Sequence, residues 1–275
     1  MSGVGATAAW IAYARAAETL RTDRLFTDPL AVAFMERTNA ELLAQLRASP
    51  TSRFDVLAVR TKYFDDYLAA ALAAPAVRQV VLLAAGLDCR AFRLEWPAGT
   101  RLFELDLPEV LAEKELLVQE CDFAPTSCGR HIVKADLTGD WPAALRAAGF
   151  DPDLPTAWLV EGLLYYLTAR EADGVVRVLT RLSAAGSTLG LEHVNNDTYR
   201  APWMQDWLAQ MRTEGRAWKS GVAEPERWLA GHGWRAEVTE PVGVPGATGR
   251  QVPQTPSRDV PGVARTWLVT AHRTE

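Results

Sequence analysis

Residues 79–108 read QVVLLAAGLDCRAFRLEWPAGTRLFELDLP, and this stretch decides the fold. Val80 to Leu83 form a run of apolar residues, rich in branched side chains, that predicts a strand buried on both faces. The small residues Ala84, Ala85 and Gly86 then make a turn, and Asp88 stands where a following helix would be capped. Twenty residues after Gly86, a second strand from Arg101 to Leu105 ends in Asp106. A strand, a tight turn and an acid on the next strand make the nucleotide-cradling half of a Rossmann-type sheet.

The turn disfavours a dinucleotide. A phosphate-binding fingerprint wants glycine at three positions, here Ala84, Gly86 and Cys89, and only one is Gly. Asp88 would also set a carboxylate where phosphate binds, competing for the same N–H donors. An acidic, glycine-poor turn suits S-adenosylmethionine, which has no phosphate and carries a positive sulfonium. Asp88 is open to a plainer reading as a helix cap.

Outward from this stretch, VLLAAGLDCRAFRL (81–94) and FELDLPEVLAEK (103–114) resemble the leucine carboxyl methyltransferase-like family of class I S-adenosylmethionine-dependent methyltransferases. The resemblance extends through AVRTKYFDDYL (58–68), KADLTGDW (134–141) and AWLVEGLLYYL (157–167). The family includes bacterial small-molecule O-methyltransferases and polyketide carboxyl methyltransferases. It implies an α/β fold with a Rossmann-like, seven-stranded, mostly parallel sheet and an N-terminal helical cap. One departure is Ala84, where the family usually has Gly; the added methyl crowds the turn.

Composition narrows the partners. The 275 residues suffice for one large α/β domain with additions; 48% are hydrophobic and 23% charged, as in ordinary globular proteins. A formal charge of −5 provides no basic field, so no nucleic-acid partner is expected. The apolar stretch 68–87 is broken by Pro75, Arg78 and Gln79, so no membrane span is expected, and the N-terminus lacks a secretory pattern. Cys89, Cys121 and Cys128 are odd in number and irregularly spaced, predicting neither disulfides nor a metal site, and a reducing cytoplasm. A homo-oligomer is left open.

Helices are expected at 8–20, from Asp28-Pro29 to about Leu46, and from about Ser52 to Ala74, with Ser49-Pro50-Thr51 as a breaker. Residues 1–75 would form a cap or lid, 76–275 the methyltransferase domain, and 195–223 a substrate-side insertion. Further strands are expected at 131–135, 156–160, 188–193, 234–239 and 265–272. Helices are expected at 169–185, from Pro202, and at 224–229, and the Gly- and Pro-rich 241–263 reads as a loop.

Asp106, with Leu107 beside it, is expected to hold the adenosine ribose, and Ala84 and Gly86 to form the turn under the cofactor. Glu104 shares the face of Asp106, as a solvent-facing or secondary group. The resemblance implies that Asp136 and Leu137 meet the adenine, although Asp136 is equally placed to cap a helix. It also implies that Arg60 binds the methionine carboxylate, the plainer alternative being a surface pair with Asp65 or Asp66; Arg15 is a second candidate. Glu161-Gly162 ends the fourth strand, where Glu161 is placed to hold the amino group and balance the sulfonium. A buried Glu lacking a cationic partner would be costly, which favours a functional reading.

A carboxylate acceptor, ionised at neutral pH, needs no base. A phenol, with a pKa of about 10, loses its proton at a cost of about 4 kcal/mol at pH 7 and would favour a nearby His. His193 is the candidate catalytic base, or a strand-end histidine bonded to backbone. Tyr199, Arg200, Trp203 and Trp207 form a candidate substrate wall with Met204, Met211 and Trp218, suited to an aromatic or polyketide-like acceptor. The spacing of Trp203, Trp207 and Met211 equally fits a core-facing helix. The expected activity is O-methyl transfer from S-adenosylmethionine to a small-molecule carboxylate. Phenol or alcohol methylation, protein C-terminal carboxyl methylation, a non-catalytic cofactor-binding regulator and an NAD-dependent reductase are the alternatives.

Overall fold

The computed structural model describes the backbone of residues 3–49 and 51–274 and the side chains from Ala9 onward. Pro50, expected to break the second helix, lies outside the described residues.

Three helices come first: α1 (Gly3–Thr19), α2 (Pro29–Ala48) and α3 (Asp55–Ala73). Asp28 starts α2 as expected, its carboxylate accepting from Ala31 N–H at 2.8 Å with Pro29 in the first turn. Alternation then follows: β1 (Gln79–Leu83), α4 (Arg90–Arg93), β2 (Arg101–Asp106), α5 (Pro108–Glu120), β3 (Gly129–Lys134), α6 (Trp141–Ala147), β4 (Thr156–Val160), α7 (Ala169–Arg181) and β5 (Thr188–Val194). The chain ends with α8 (Gln205–Thr213), α9 (Pro225–Ala230), β6 (Trp234–Thr239) and β7 (Thr266–Arg273).

The strands form one sheet in the order β3-β2-β1-β4-β5-β7-β6, parallel except for β7, which runs antiparallel to β5 and β6. This is the Rossmann-like, class I methyltransferase arrangement. Strand order reverses between β1 and β4, so a crevice opens at their carboxyl ends. Val81 stands opposite Phe103 on one side and Trp158 on the other, all buried, which explains the continuous apolar run in β1.

The three N-terminal helices share their core with the sheet. Leu30, Phe34, Val59, Phe64 and Leu68 pack in one cluster with Val80, Leu82, Leu102 and Leu159. Tyr67 on α3 reaches across to the Trp158 carbonyl (3.0 Å) and the Thr188 hydroxyl (2.9 Å). Gly190 leaves room for that ring, since a Cβ there would lie 2.6 Å from it.

Several expectations shift. The helix expected after Asp88 is a single turn, and Asp88 is not its N-cap; it precedes Cys89 and accepts from Arg90 N–H at 2.7 Å. Helix α7 stops at Arg181, short of 185, because the Ser183 hydroxyl bonds the Leu179 carbonyl and Gly186 turns the chain at φ +81. Pro202 begins a 3-10 turn, and the α-helix starts only at Gln205. The 241–263 segment carries two short 3-10 turns and is clamped to α1 and α3 by Arg250, whose guanidinium meets Glu18 at 2.8 Å and Asp55 at 3.3 Å. No helix among the described residues is long and apolar enough to cross a membrane.

Candidate active site

A cavity of about 1540 Å³ opens at the carboxyl ends of the strands. Its walls take residues following β1 (Ala84–Asp88), β2 (Leu107), β3 (Ala135–Thr138) and β4 (Glu161–Leu163), with the last residues of β2 and β5. Single-ligand pockets occupy roughly 300–1,000 Å³, so the space suits two ligands side by side.

The turn after β1 explains both its glycine and the family's usual second one. Ala84 sits at φ +52 and Gly86 at φ +48, the left-handed region where a Cβ costs about 1–2 kcal/mol. Ala84 bears that cost and still lines the cavity. Asp106 holds the turn: one carboxylate oxygen accepts from Gly86 N–H at 2.6 Å and the other from Leu107 N–H at 2.7 Å. Each oxygen keeps a lone pair for a ligand hydroxyl. Burial raises the Asp106 pKa, against the two N–H donors that favour the anion. Asp136 accepts from Thr138 N–H at 2.8 Å, and Leu137 lies beside it on the cavity wall. Asp136 caps no helix; that role falls to Asp140.

A buried ion network lies beneath the turn. Arg60 bonds Glu192 and Glu161, each at 3.0 Å, so its partners are neither Asp65 nor Asp66. Arg90, 1% exposed, contacts Asp65 at 2.8 Å, Glu161 at 2.8 Å and Asp88. Arg93 holds Asp65 through two 2.7 Å bonds, and Arg15 reaches Glu161 at 3.3 Å and Asp28 at 3.9 Å. Four guanidinium groups (Arg15, Arg60, Arg90, Arg93) therefore face five carboxylates (Asp28, Asp65, Asp88, Glu161, Glu192).

Burial works to raise the Glu161 pKa, but Arg90, Arg60 and Arg15 outweigh it and hold the carboxyl well below its usual range. The cost of an unpaired buried carboxylate therefore does not arise at Glu161, since three arginines surround it. Glu192 accepts from Arg60, from Gly162 N–H (3.0 Å) and from the Tyr165 hydroxyl (3.4 Å), all at one oxygen. Its pKa is raised, because burial and the nearby Glu161 together exceed the pull of Arg60. Glu104 is neither solvent-facing nor part of the cavity: it is fully buried, bonded to Lys114 and Arg130 at 2.7 Å each.

The remaining wall is aromatic. Trp10 on α1 packs against Trp207 at 5.2 Å between ring centroids, with Phe54, Trp203, Met204 and Trp218 also on the cavity. Trp203 is 72% exposed because it sits in the 3-10 turn, out of register with the buried Leu208 and Met211 of α8.

Four expected site residues lie elsewhere, among them Met211, which is buried on α8 and does not line the cavity. His193 is 2% exposed, faces away from the cavity, and accepts Val194 N–H at its Nδ1 (3.0 Å); burial lowers its pKa to about 4. It is no base for an acceptor. Its neighbour Glu192 takes the cavity face, as strand alternation requires. Tyr199 donates to the Ser220 carbonyl at 2.5 Å, joining the Asn196–Tyr199 turn to the chain at Ser220, without lining the cavity. Arg200 points to solvent near Asp197, because the 3-10 turn at Asn196–Tyr199 carries it outward. Glu192, Tyr165, Tyr166, Trp10 and Arg216 line the site and were not expected. Two of these, Tyr165 and Tyr166, stand only three and four residues after Gly162 in the sequence.

Fold and site together define a class I methyltransferase. Solved structures agree on the fold: a methyltransferase-type protein from Thermobifida fusca aligns at a TM-score of 0.56 with 17% identity, covering 92% of this chain and 95% of that one. A DUF574 family protein from Streptomyces avermitilis gives 0.56 with 16% identity, over 93% and 100%. Residues 8–180 match the leucine carboxyl methyltransferase family model, and the chain belongs to that family. A relative in Parafrankia sp. is 45% identical over 92% of this chain and 83% of its own. Another in Mycobacteroides abscessus is 38% identical over 99% and 96%. Both carry the provisional name of S-adenosyl-L-methionine-dependent methyltransferase.

Proposed function

We propose that this protein is an O-methyltransferase that esterifies the carboxylate of a small, aromatic or polyketide-like acid. Its cofactor is S-adenosylmethionine. The observation that carries the carboxylate reading is the position of His193, which leaves the cavity without a histidine base among its lining residues. When bound, S-adenosylmethionine supplies a methyl carbon activated by its sulfonium, and transfer to a carboxylate oxygen leaves a neutral ester and S-adenosylhomocysteine with no proton changing hands.

The residues present fit that cofactor. The buried network has one carboxylate more than its guanidinium groups, which suits a ligand of net charge +1 and opposes a pyrophosphate. The turn exposes its backbone: a Cβ built at Gly86 meets no atom within 4 Å. Asp106 would hold the ribose hydroxyls, with Leu107, Asp136 and Leu137 at the adenine. Arg60, whose Nε is buried without an acceptor, would face the methionine carboxylate, and Glu161 and Gly162 the amino group. Ala84 and Gly86 would support the sugar from below. Trp203 and Trp207 would flank the acceptor, with 195–223 as its insertion and the cap over 1–75 excluding water.

Calorimetric titration with S-adenosylmethionine and S-adenosylhomocysteine, in wild type and Asp106→Asn, tests the cofactor site. Micromolar-range binding that weakens roughly 10- to 100-fold in the variant is expected, the worth of charged hydrogen bonds. Equal affinity in the two proteins would refute the ribose role. Transfer of a labelled methyl group into base-labile ester, and not into alkali-stable ether, tests the carboxylate.

A further inference from the structure

We infer that Trp218, Tyr166 and Arg216 form a cradle for the acceptor's carboxylate, so that the acceptor is an aromatic acid held by donors on one wall and rings on the other. The inference rests on the methyl-transfer reading and specifies the half of the cavity the cofactor does not use.

The segment 215–222 is laid as a ribbon against the turn that follows β4. Lys219 N–H donates to the Tyr165 carbonyl at 2.6 Å, the Ser220 hydroxyl to the Leu164 carbonyl at 3.4 Å, and Val222 N–H to the Val194 carbonyl at 2.8 Å. Gly221 permits this approach, since a Cβ there would fall 2.8 Å from the Asn195 carbonyl carbon. The ribbon fixes the Trp218 indole against Tyr165, with ring centroids 4.3 Å apart, and perpendicular to Tyr166 at 6.4 Å.

Held in this way, the Trp218 Nε1–H is buried without a well-aligned hydrogen bond, although the Tyr166 hydroxyl lies close enough to feel it, and the residue lines the cavity. A buried donor without a partner is costly, and here a ligand oxygen would remove the cost. Tyr166 and Arg216 line the same cavity, and Arg216, 9% exposed, is ion-paired to Glu214. Burial raises the Tyr166 pKa, while a hydrogen bond from Trp218 and the charge of Arg216 pull it down; Arg216 stands two residues before Trp218 on the same ribbon. Tyr165, against which Trp218 packs, donates its hydroxyl to Glu192 at 3.4 Å, so the cradle adjoins the ion network at the strand ends.

An indole N–H, a phenol and a guanidinium together match an oxyanion, which only accepts. One carboxylate oxygen would rest on these donors while the other reacts. Methylation removes the charge they hold, so the ester binds more weakly than the acid and leaves. Trp10, Phe54 and Trp207 supply flat surface for the rest of the molecule.

The test uses protein saturated with S-adenosylhomocysteine, titrated with 2-naphthoate and 2-naphthol as probes. Naphthoate should bind at least ~10-fold more tightly than naphthol. Trp218→Phe, which keeps a ring and removes the N–H, and Arg216→Gln should each weaken naphthoate ~10-fold, leaving naphthol and S-adenosylhomocysteine binding unchanged. Equal affinity for the two probes, no binding of naphthoate, or a Trp218→Phe protein that binds naphthoate like wild type would overturn the cradle. Failure of wild type to bind S-adenosylhomocysteine would overturn the methyltransferase reading and the cradle with it, and that titration comes first.

Discussion

At the strand ends, the cavity wall is fixed by charge: Arg60 and Arg90 between them touch Asp65, Asp88, Glu161 and Glu192, all buried or nearly so. Across from it, the wall of α1, the 202–207 turn and the 215–218 ribbon is built from rings, with Trp203 largely in solvent. Charge in a low-dielectric setting is directional and costly to misplace, so the first wall tolerates one ligand geometry. Stacked rings bury area with little directional demand, so the second accepts a range of shapes and relies on a few polar groups for orientation. A single cofactor chemistry and a variable acceptor are what such a division serves.

The comparison breaks most visibly at Arg90. Replacing it with Met takes one partner from each of Asp65 and Glu161 and leaves the buried Asp88 without a guanidinium, and a loss of ~3–5 kcal/mol of stability is expected in urea denaturation. A loss below about 1 kcal/mol would mean that the network is solvated and the contrast between the walls is false.

His193 sharpens the contrast from behind the sheet. Its folded pKa of about 4 lies below the ordinary 6.5. Its contribution to stability is therefore complete above pH 6.5 and is lost as pH falls towards 4, because the unfolded chain takes the proton first. In His193→Asn, whose amide oxygen can accept the Val194 N–H, the stability curve should be flatter by ~3 kcal/mol across that window. Methyl transfer at pH 7.5 should persist; its abolition would restore His193 as the base.

The smallest effect belongs to the aromatic wall. Trp203→Ala should change stability by no more than ~0.5 kcal/mol, as surface changes do, while raising the acceptor's KM and leaving S-adenosylmethionine affinity intact. A fall in thermal midpoint comparable to that of Arg90→Met would show that Trp203 is a structural support.

The sequence by itself determined the sheet and the strand-end wall of the cavity. Strand β4 at 156–160 and β6 at 234–239 fall where their residues predict, and Gly86, Asp106, Asp136 and Glu161 all line the cavity. These signals are local: a strand, its turn and its terminal acid lie within a few residues, and backbone geometry carries them to the same edge. Tertiary structure alone decided which side of a strand a residue faces where both sides are covered. Both Glu192 and His193 are buried, so alternation could not say which of them meets the cavity. It also decided who pairs with whom: Arg60 and Glu161 are 101 positions apart, and Trp218 meets Tyr165 across 53. Pairings at such separations exist only once the chain has closed around them, and no local propensity records them.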